Sequence, residues 1–261
     1  MRTVASRYVF GDSEVASRRL GLLAEIFDPS TRRFLLESGI GRPRLAVDLG
    51  CGPGHSSHLL AEVLGCDRVV GLDVSSRFVS LAEGTATDRV SFRRHDVTSV
   101  PFPVAPADLL FSRFLLTHVR EPETAVYQWA SQLRPGGSLL LEEVEWIETT
   151  NAVFTAYNRI VEAVLEHESN TLCIGPVLDG LGDGALLRRR SGVDRLRVGT
   201  RDAACMFMMN IQAWKDHPFV QSNWSASTTD RLEAELGALA TAPTGDVEIE
   251  WGLRQLVFER V

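Results

Sequence analysis

Cysteine is scarce: the four in 261 residues, Cys51, Cys66, Cys173 and Cys205, form no CxxC pair and no His/Cys cluster at metal-ligand spacing. They read as reduced thiols, so neither a disulfide framework nor a metal centre is expected. A surplus of positive charge is missing too, since 27 Lys and Arg stand against 34 Asp and Glu, a net charge of −7. Broad attraction to a phosphate backbone is therefore not expected, nor is nucleic acid as a partner. The longest charge-free apolar stretch, Ala203 to Trp214, contains Asn210 and Gln212. It falls short of the roughly 18 residues that a membrane helix needs. Arg2, Arg7, Asp12 and Glu14 precede any apolar run, which argues against a secretory signal. A cytoplasmic protein without a membrane partner is expected, and no internal repeat is visible.

Hydrophobic residues make up 44 % of the chain and charged residues 23 %, enough for a sizeable core in one large α/β domain. From Leu45 to about Val144 short apolar runs alternate with helical stripes, the pattern of successive βαβ units. Strands are expected at Leu45–Leu49, Val69–Leu72, Val90–Phe92, Leu109–Phe111 and Leu139–Leu141. Between them Leu59, Leu60, Val63 and Leu64 recur at helical spacing, and Ala125, Val126, Trp129 and Leu133 form a stripe that Gly136-Gly137 stops. Phe154 to Leu165 trace a further amphipathic helix, and Val193–Val198 and Val247–Phe258 are late strands. Two regions lie outside the sheet pattern, residues 1–40 and about 200–240. Each can either cover the carboxyl edge of the sheet or bury a sheet face.

The most informative segment is Val47-Asp48-Leu49-Gly50-Cys51-Gly52-Pro53-Gly54-His55, between an apolar strand and a helix. Gly50 and Gly52 let backbone pass close to a ligand, and the following helix points its free N–H groups at the same place. Asp48, Asp73 and Asp96 each stand at or near the carboxyl end of a strand, where open α/β sheets bind ligands. Asp73 can accept hydrogen bonds from both ribose hydroxyls of an adenosine. A carboxylate at Asp48 repels phosphate and suits a cationic or ammonium group, and the GxGxxG fingerprint is broken at His55. Both features weigh against a dinucleotide.

In this register the residues resemble the class I S-adenosylmethionine-dependent methyltransferases, over roughly residues 44–145. The resemblance implies a doubly wound α/β fold with a mainly parallel seven-stranded, Rossmann-like sheet, an N-terminal helical cover and a late helical insertion. It implies S-adenosyl-L-methionine as cofactor, with S-adenosyl-L-homocysteine as product. Asp48, Gly50, Cys51, Gly52 and Gly54 fall in that family's first motif, whose loop holds the methionine portion. Asp73 matches its ribose-binding acid, and Val74 packs on adenine. Asp96 and Val97 are similar to the pair whose acid accepts from the adenine amino group. Ser112 and Arg113 fall where the fourth strand offers backbone to the methionine end. Leu133-Arg134-Pro135-Gly136-Gly137 looks like the turn before strand five. Tyr8-Val9-Phe10-Gly11 with Glu14, Arg19-Leu20 and Asp28-Pro29 resembles the leader of small-molecule methyltransferases. Tyr8 and Arg19 are accordingly expected to close over the cofactor, Arg19 pairing with its carboxylate. The implied layout is a single methyltransferase domain over 1–261, with a cover at 1–40, the cofactor core at 44–145, substrate-side helices and a late strand at 146–245, and a final strand at 246–261.

What the resemblance implies is direct displacement of a sulfonium methyl by a small-molecule acceptor, where the protein aligns the partners and excludes water. The alternative is a protein of this fold that holds the cofactor for binding or for another reaction. Tyr8, Phe10, Phe114 and Trp146 are candidate aromatic faces for the sulfonium, although core packing also explains each. His118, following strand four, is the candidate base for an acceptor hydroxyl, with a pKa of about 6.5 if unperturbed. A histidine satisfying nearby backbone is the other reading. Glu143 or Glu145 could reach the pocket, with solvent exposure of Glu142, Glu143 and Glu145 the default, and Arg188 to Arg190 read as a solvated helix end. Oligomeric state is not encoded.

Overall fold

Alternation along the central strands decides which side chain faces which layer. In β1 (Leu45–Leu49), Val47 and Leu49 join one core with Val70, Leu72 and Leu110, while Ala46 joins another with Val69, Leu109 and Phe111. Strands apolar on both faces need a helical layer on each. The computed structural model, which describes residues 11–182, 184–243 and 247–261, supplies both layers. After α1 (Glu14–Glu37) and β1 come α2 (His55–Val63), β2 (Arg68–Asp73), α3 (Ser76–Glu83), β3 (Val90–Arg94) and β4 (Ala107–Arg113). A 3₁₀ turn (Leu116–His118), α4 (Pro122–Ala130), β5 (Leu133–Thr149), α5 (Ala152–His167) and α6 (Gly175–Leu178) follow. The chain ends with β6 (Leu186–Val198), α7 (Thr200–Trp214), α8 (Pro218–Asn223), α9 (Ala226–Thr241) and β7 (Ile249–Arg260).

The seven strands lie in the order β3-β2-β1-β4-β5-β7-β6. Every pair from β3 to β5 is parallel, whereas β7 runs antiparallel to both of its neighbours. This is the doubly wound, mainly parallel seven-stranded sheet expected from the sequence. A third core sits beyond its carboxyl edge, where Phe154 and Val161 of α5, Phe207 and Ile211 of α7 and Leu232 of α9 pack on Val144 and Trp251. The late insertion thus builds a wall of its own onto the ends of β5 and β7.

Helix α1 serves as both cover and core. Its amino half carries Leu20, Leu23 and Phe27 over the carboxyl edge of the sheet, and its carboxyl half sinks Phe34 and Leu35 into a core with Leu60 and Leu140. A buried polar network fixes its position. Arg113 of β4 donates from Nη1 to Asp28 Oδ1 at 2.7 Å and to Thr31 Oγ1 at 2.8 Å. The Thr31 hydroxyl donates to Glu142 Oε2, and Gln255 Nε2 of β7 donates to Glu142 Oε1 at 2.7 Å. Ser30 Oγ donates to Asp194 Oδ2 of β6 at 2.5 Å. One helix is therefore tied to four strands.

Three readings are corrected here. Leu133 is not the end of a helical stripe but the first residue of β5, paired with Ala107, because α4 stops at Ala130 and the Pro135-Gly136-Gly137 turn bulges inside the strand. Arg188, Arg189 and Arg190 are not a helix end but part of β6, the outermost strand. There Arg189 pairs with Glu259 at 2.9 Å and Arg190 with Glu37 at 2.6 Å. Glu142 and Glu143 are not exposed, since a β5 flanked by β4 and β7 and covered on both faces leaves no water at either position.

Thr31→Val keeps the shape of the side chain but removes the donor that faces the sealed Glu142 carboxyl. Leaving a buried acceptor short of a partner costs about 1–3 kcal/mol. Urea unfolding of the variant should show a loss of that size; an unchanged midpoint and slope would show that α1 does not depend on this bond.

Candidate active site

The turn after β1 is shaped by its glycines and by the strand beside it. Gly50 and Cys51 donate their N–H groups to the Leu72 carbonyl at 2.8 and 3.1 Å, which folds the loop back onto β2. Gly50 has φ +69°, and a Cβ there would come within 2.7 Å of Leu115, so only glycine fits. Asp48 lies beneath the loop, 1 % exposed, and its Oδ2 accepts from Ser56 Oγ at 2.7 Å and Ser57 Oγ at 2.6 Å. Burial raises its pKa to about 6, against the lowering effect of the two hydroxyls. Asp48 therefore ties the first turn of α2 to β1 and does not line the cleft.

The cleft itself encloses about 1010 Å³ over the carboxyl ends of β1 to β5. Asp73, closing β2, accepts from the Gly52 N–H at 2.9 Å on Oδ2 and from the Ser75 N–H at 2.8 Å on Oδ1. Each oxygen keeps a second lone pair for a ligand. Burial raises this carboxyl while the backbone donors at Ser75 and Gly52 lower it. Asp96 accepts from Thr98 N–H and Oγ1 at 2.9 and 2.7 Å, both on Oδ1. Its other oxygen has no such bond among the described residues. Val74, half exposed, and Val97 line the cleft beside these two acids.

Farther in, the roof and far wall come from the helices outside the sheet. Arg19 of α1 is 4 % exposed and lines the cleft, and Leu20 next to it packs 3.4 Å from where a Gly52 Cβ would stand. Phe27 and Phe114 meet edge to face at 5.0 Å, and Phe27 and Trp251 at 5.7 Å. Tyr157 of α5 and Asn210 of α7 join the same wall. His118 closes the 3₁₀ turn at this end, and burial together with the nearby Arg19 cation lowers its pKa to about 3. The imidazole is therefore neutral and weakly basic, not the ordinary titrating base that its position alone suggested.

Glu143 holds that turn. Its Oε1 accepts from Leu115 N–H at 2.9 Å and Leu116 N–H at 2.8 Å, and among the described residues its Oε2 has no hydrogen-bond partner. Burial pushes its carboxyl up to about 8 against the lowering by the two N–H donors. Sequence reading missed this role because acids at the end of a strand are usually solvated; adjacency to a strand buried on both faces was the available signal. Glu145 is engaged elsewhere, in an ion pair with Arg254 at 2.5 Å.

Of the residues singled out from the sequence, Arg19, Gly50, Cys51, Gly52, Asp73, Val74, Asp96, Val97, Arg113 and His118 all line this one cleft. Asp48, Gly54 and Ser112 do not. Gly54, at φ +97°, caps α2 against Phe92, and the fully buried Ser112 hydroxyl faces the interior. Arg113 points its guanidinium at Asp28, so its charge is satisfied by the cover helix. Tyr8 and Phe10 lie outside the described residues. Trp146 stacks below the Arg195 guanidinium at 5.1 Å and is not part of the cleft. Cys51 lines the cleft with a thiol that burial pushes well above its usual value.

The family described as "Methyltransferase domain" matches residues 47–141. The trans-aconitate 2-methyltransferase of Azoarcus sp. strain BH72 is 36 % identical over 96 residues, 37 % of this chain and 37 % of that protein. A tRNA U34 carboxymethyltransferase of Shewanella pealeana is 35 % identical over 123 residues, 44 % of this chain and 36 % of that protein. The chain thus matches little more than a third of the length of either relative. In fold, it is similar to an N-methyltransferase of Haemonchus contortus solved with phosphomonomethylethanolamine and S-adenosylhomocysteine. That likeness has a TM-score of 0.52 at 18 % identity, over 95 % of this chain and 60 % of the other. No helix among the described residues is long and apolar enough to cross a membrane.

The raised Glu143 carboxyl has a consequence for stability. Its folded pKa of about 8 lies above the 4.5 of an unperturbed glutamate, so the folded chain holds a proton that the unfolded chain has lost. Stability from this group is full below about pH 4.5 and falls as pH rises towards about 8. Glu143→Gln, which stays neutral and keeps an oxygen for Leu115 and Leu116, should gain on the parent between about pH 5 and about pH 8 in urea unfolding. A pH-independent difference would mean that the carboxyl titrates in its usual range.

Proposed function

Residues 47–141 belong to the class I S-adenosylmethionine-dependent methyltransferases, and from that membership we propose that the protein methylates a small-molecule acceptor. The observation that carries the reading is one continuous cleft with two chemically different ends. The glycine turn and the acids Asp73 and Asp96 form one end, and an aromatic chamber under α1 forms the other. The residues present fit the cofactor. Gly50 and Gly52 keep backbone bare where a Cβ would intrude or strain, and two strand-end carboxylates have lone pairs to offer. When bound, S-adenosylmethionine supplies a methyl group on a positively charged sulfur.

The roles proposed for the chain follow from placement. Asp73 accepts from the ribose hydroxyls, Asp96 Oδ2 accepts from the adenine amino group, and Val74 and Val97 pack against the adenine ring. Arg19, brought to the cleft by the cover helix, pairs with the methionine carboxylate. Gly50, Cys51 and Gly52 contact the methionine portion through backbone. Aromatic faces around the chamber exclude water from the acceptor. His118, neutral at physiological pH, orients an acceptor hydroxyl by accepting from it rather than removing its proton, so rate enhancement rests on alignment.

A small acceptor is supported by the burial of the chamber side chains under α1 and by the net charge of −7. A relative named trans-aconitate 2-methyltransferase favours a small acceptor. The relatives named for tRNA make nucleic acid the outcome to be tested against. Transfer of labelled methyl from the cofactor to a metabolite panel, with bulk tRNA as a separate arm, separates the two. Cofactor binding with no labelled product in any arm would instead favour a binding role or a different reaction.

Two results bear on the assigned residues. Charge-assisted hydrogen bonds are worth about 1.5–3 kcal/mol each, so Asp73→Ala should weaken S-adenosylmethionine binding at least about tenfold in titration calorimetry. Parent-like affinity would remove Asp73 from the ribose site. Once an acceptor is found, single-turnover methyl transfer should carry no inflection between about pH 5 and about pH 8 that His118→Ala abolishes. Such an inflection would show that the imidazole titrates near its ordinary value and acts as a base.

A further inference from the structure

The chamber end of the cleft holds an uncharged polar pair set among aromatic rings. Phe27, Phe114, Phe207 and Trp251 present ring surfaces to it, and Val161 and Met206 fill between them. Into this wall α5 sets Tyr157, 2 % exposed, and α7 sets Asn210, 6 % exposed. Asn210 Nδ2 donates to the Tyr157 hydroxyl at 2.8 Å, and Tyr157 stacks on Phe207 at 3.9 Å. Among the described residues the buried Asn210 Oδ1 has no hydrogen-bond partner. The Tyr157 hydroxyl accepts from Asn210, with the Trp214 indole beside it, and among the described residues it donates its own proton to no acceptor. Burial raises the pKa of this phenol, so that proton stays in place.

The pair therefore offers one acceptor and one donor side by side. Reversing the Asn210 amide would exchange the two roles and still leave one of each open. Leaving a buried polar group unmet is costly, and unlike the Glu143 carboxyl these two groups line the cleft, where a ligand can reach them. Both residues lie outside the segment that matches the methyltransferase family, so the family resemblance does not account for them. Building on the methyltransferase reading above, we infer that Tyr157 and Asn210 select the acceptor: a flat, neutral, ring-containing molecule with a carbonyl next to an N–H or O–H. The carbonyl accepts from Tyr157, the N–H or O–H donates to Asn210, and the ring lies between aromatic faces. With the Arg19 cation engaged by the cofactor carboxylate, an anionic acceptor would meet Asn210 Oδ1 with its own lone pairs, and a plain hydrocarbon would leave both groups unmet.

The test uses the full chain saturated with S-adenosylhomocysteine, and isocarbostyril, a fused-ring lactam, as the probe, with naphthalene and α-naphthoate as matched controls. Calorimetry should show isocarbostyril binding at least about tenfold more tightly than either control. Asn210→Leu should lower isocarbostyril affinity about tenfold and leave S-adenosylhomocysteine affinity unchanged. Tyr157→Phe, a milder change, should lower isocarbostyril affinity a few-fold. No binding of isocarbostyril, equal binding of α-naphthoate, or parent affinity in both variants would overturn the acceptor assignment while leaving methyl transfer standing. Failure of the parent to bind S-adenosylhomocysteine would overturn the methyltransferase reading and this inference with it.

Discussion

A carboxyl group sealed under a helix organises this molecule. Glu142 sits on a strand that β4 and β7 flank, and burial raises its pKa against the combined pull of Arg113, Thr31 and Gln255. The carboxyl is fully buried from bulk solvent, so it is tolerated only when α1 brings Thr31 to it and Arg113 stands between Thr31 and Asp28. A shift of α1 along the sheet would break several of these contacts together. The same helix roofs the cleft with Leu20, Leu23 and Phe27 and fills a core with Phe34 and Leu35. Its docking therefore couples the stability of the sheet to the shape of the site.

The cleft joins two parts of the chain with different origins. Turns after parallel strands supply glycine backbone and carboxylates, a consequence of strands that all end at one edge. The far wall is made by α5 and α7 packed on the projecting ends of β5 and β7. Strand β5 runs 17 residues, long enough to belong to the parallel sheet at Leu139 and to carry Val144 and Ile147 into the chamber. Glu143 on that strand fixes the turn that presents His118, so the two ends of the cleft share a backbone support. A neutral imidazole, an uncharged Tyr157–Asn210 pair and several ring faces leave Arg19 as the main charge near the chamber end. That suits chemistry in which exclusion of water and alignment carry the work.

Much of this was written in local pattern. Short apolar runs ending in Asp48, Asp73 and Asp96, interleaved with helical stripes, specify parallel βαβ units, and left-handed glycines between strand and helix specify a ligand turn. Those signals depend on neighbours a few residues apart, so they survive in a one-dimensional reading. The extent of β5, the strand identity of Arg188 to Arg190, and the burial of Glu142 and Glu143 do not. An edge strand rich in arginine is stabilised by ion pairs to Glu37 and Glu259, which are distant in sequence, and a buried glutamate looks like an exposed one until its neighbours are placed.

The sequence by itself thus determined the order of strands and helices through the first five strands, the glycine turn that lines the cleft and the acids at the strand ends. Tertiary structure alone decided that Asp48 braces the loop while Asp73 and Asp96 face the cleft, and that His118 is a weak base. It also decided that Tyr157 and Asn210, 53 residues apart, meet at 2.8 Å. The physical reason is the same in each case. Backbone conformation and periodicity are set by adjacent residues, whereas proton affinity and hydrogen-bond partnership are set by how much water remains. Water is removed only when α1, α5 and α7 close over the edge of the sheet.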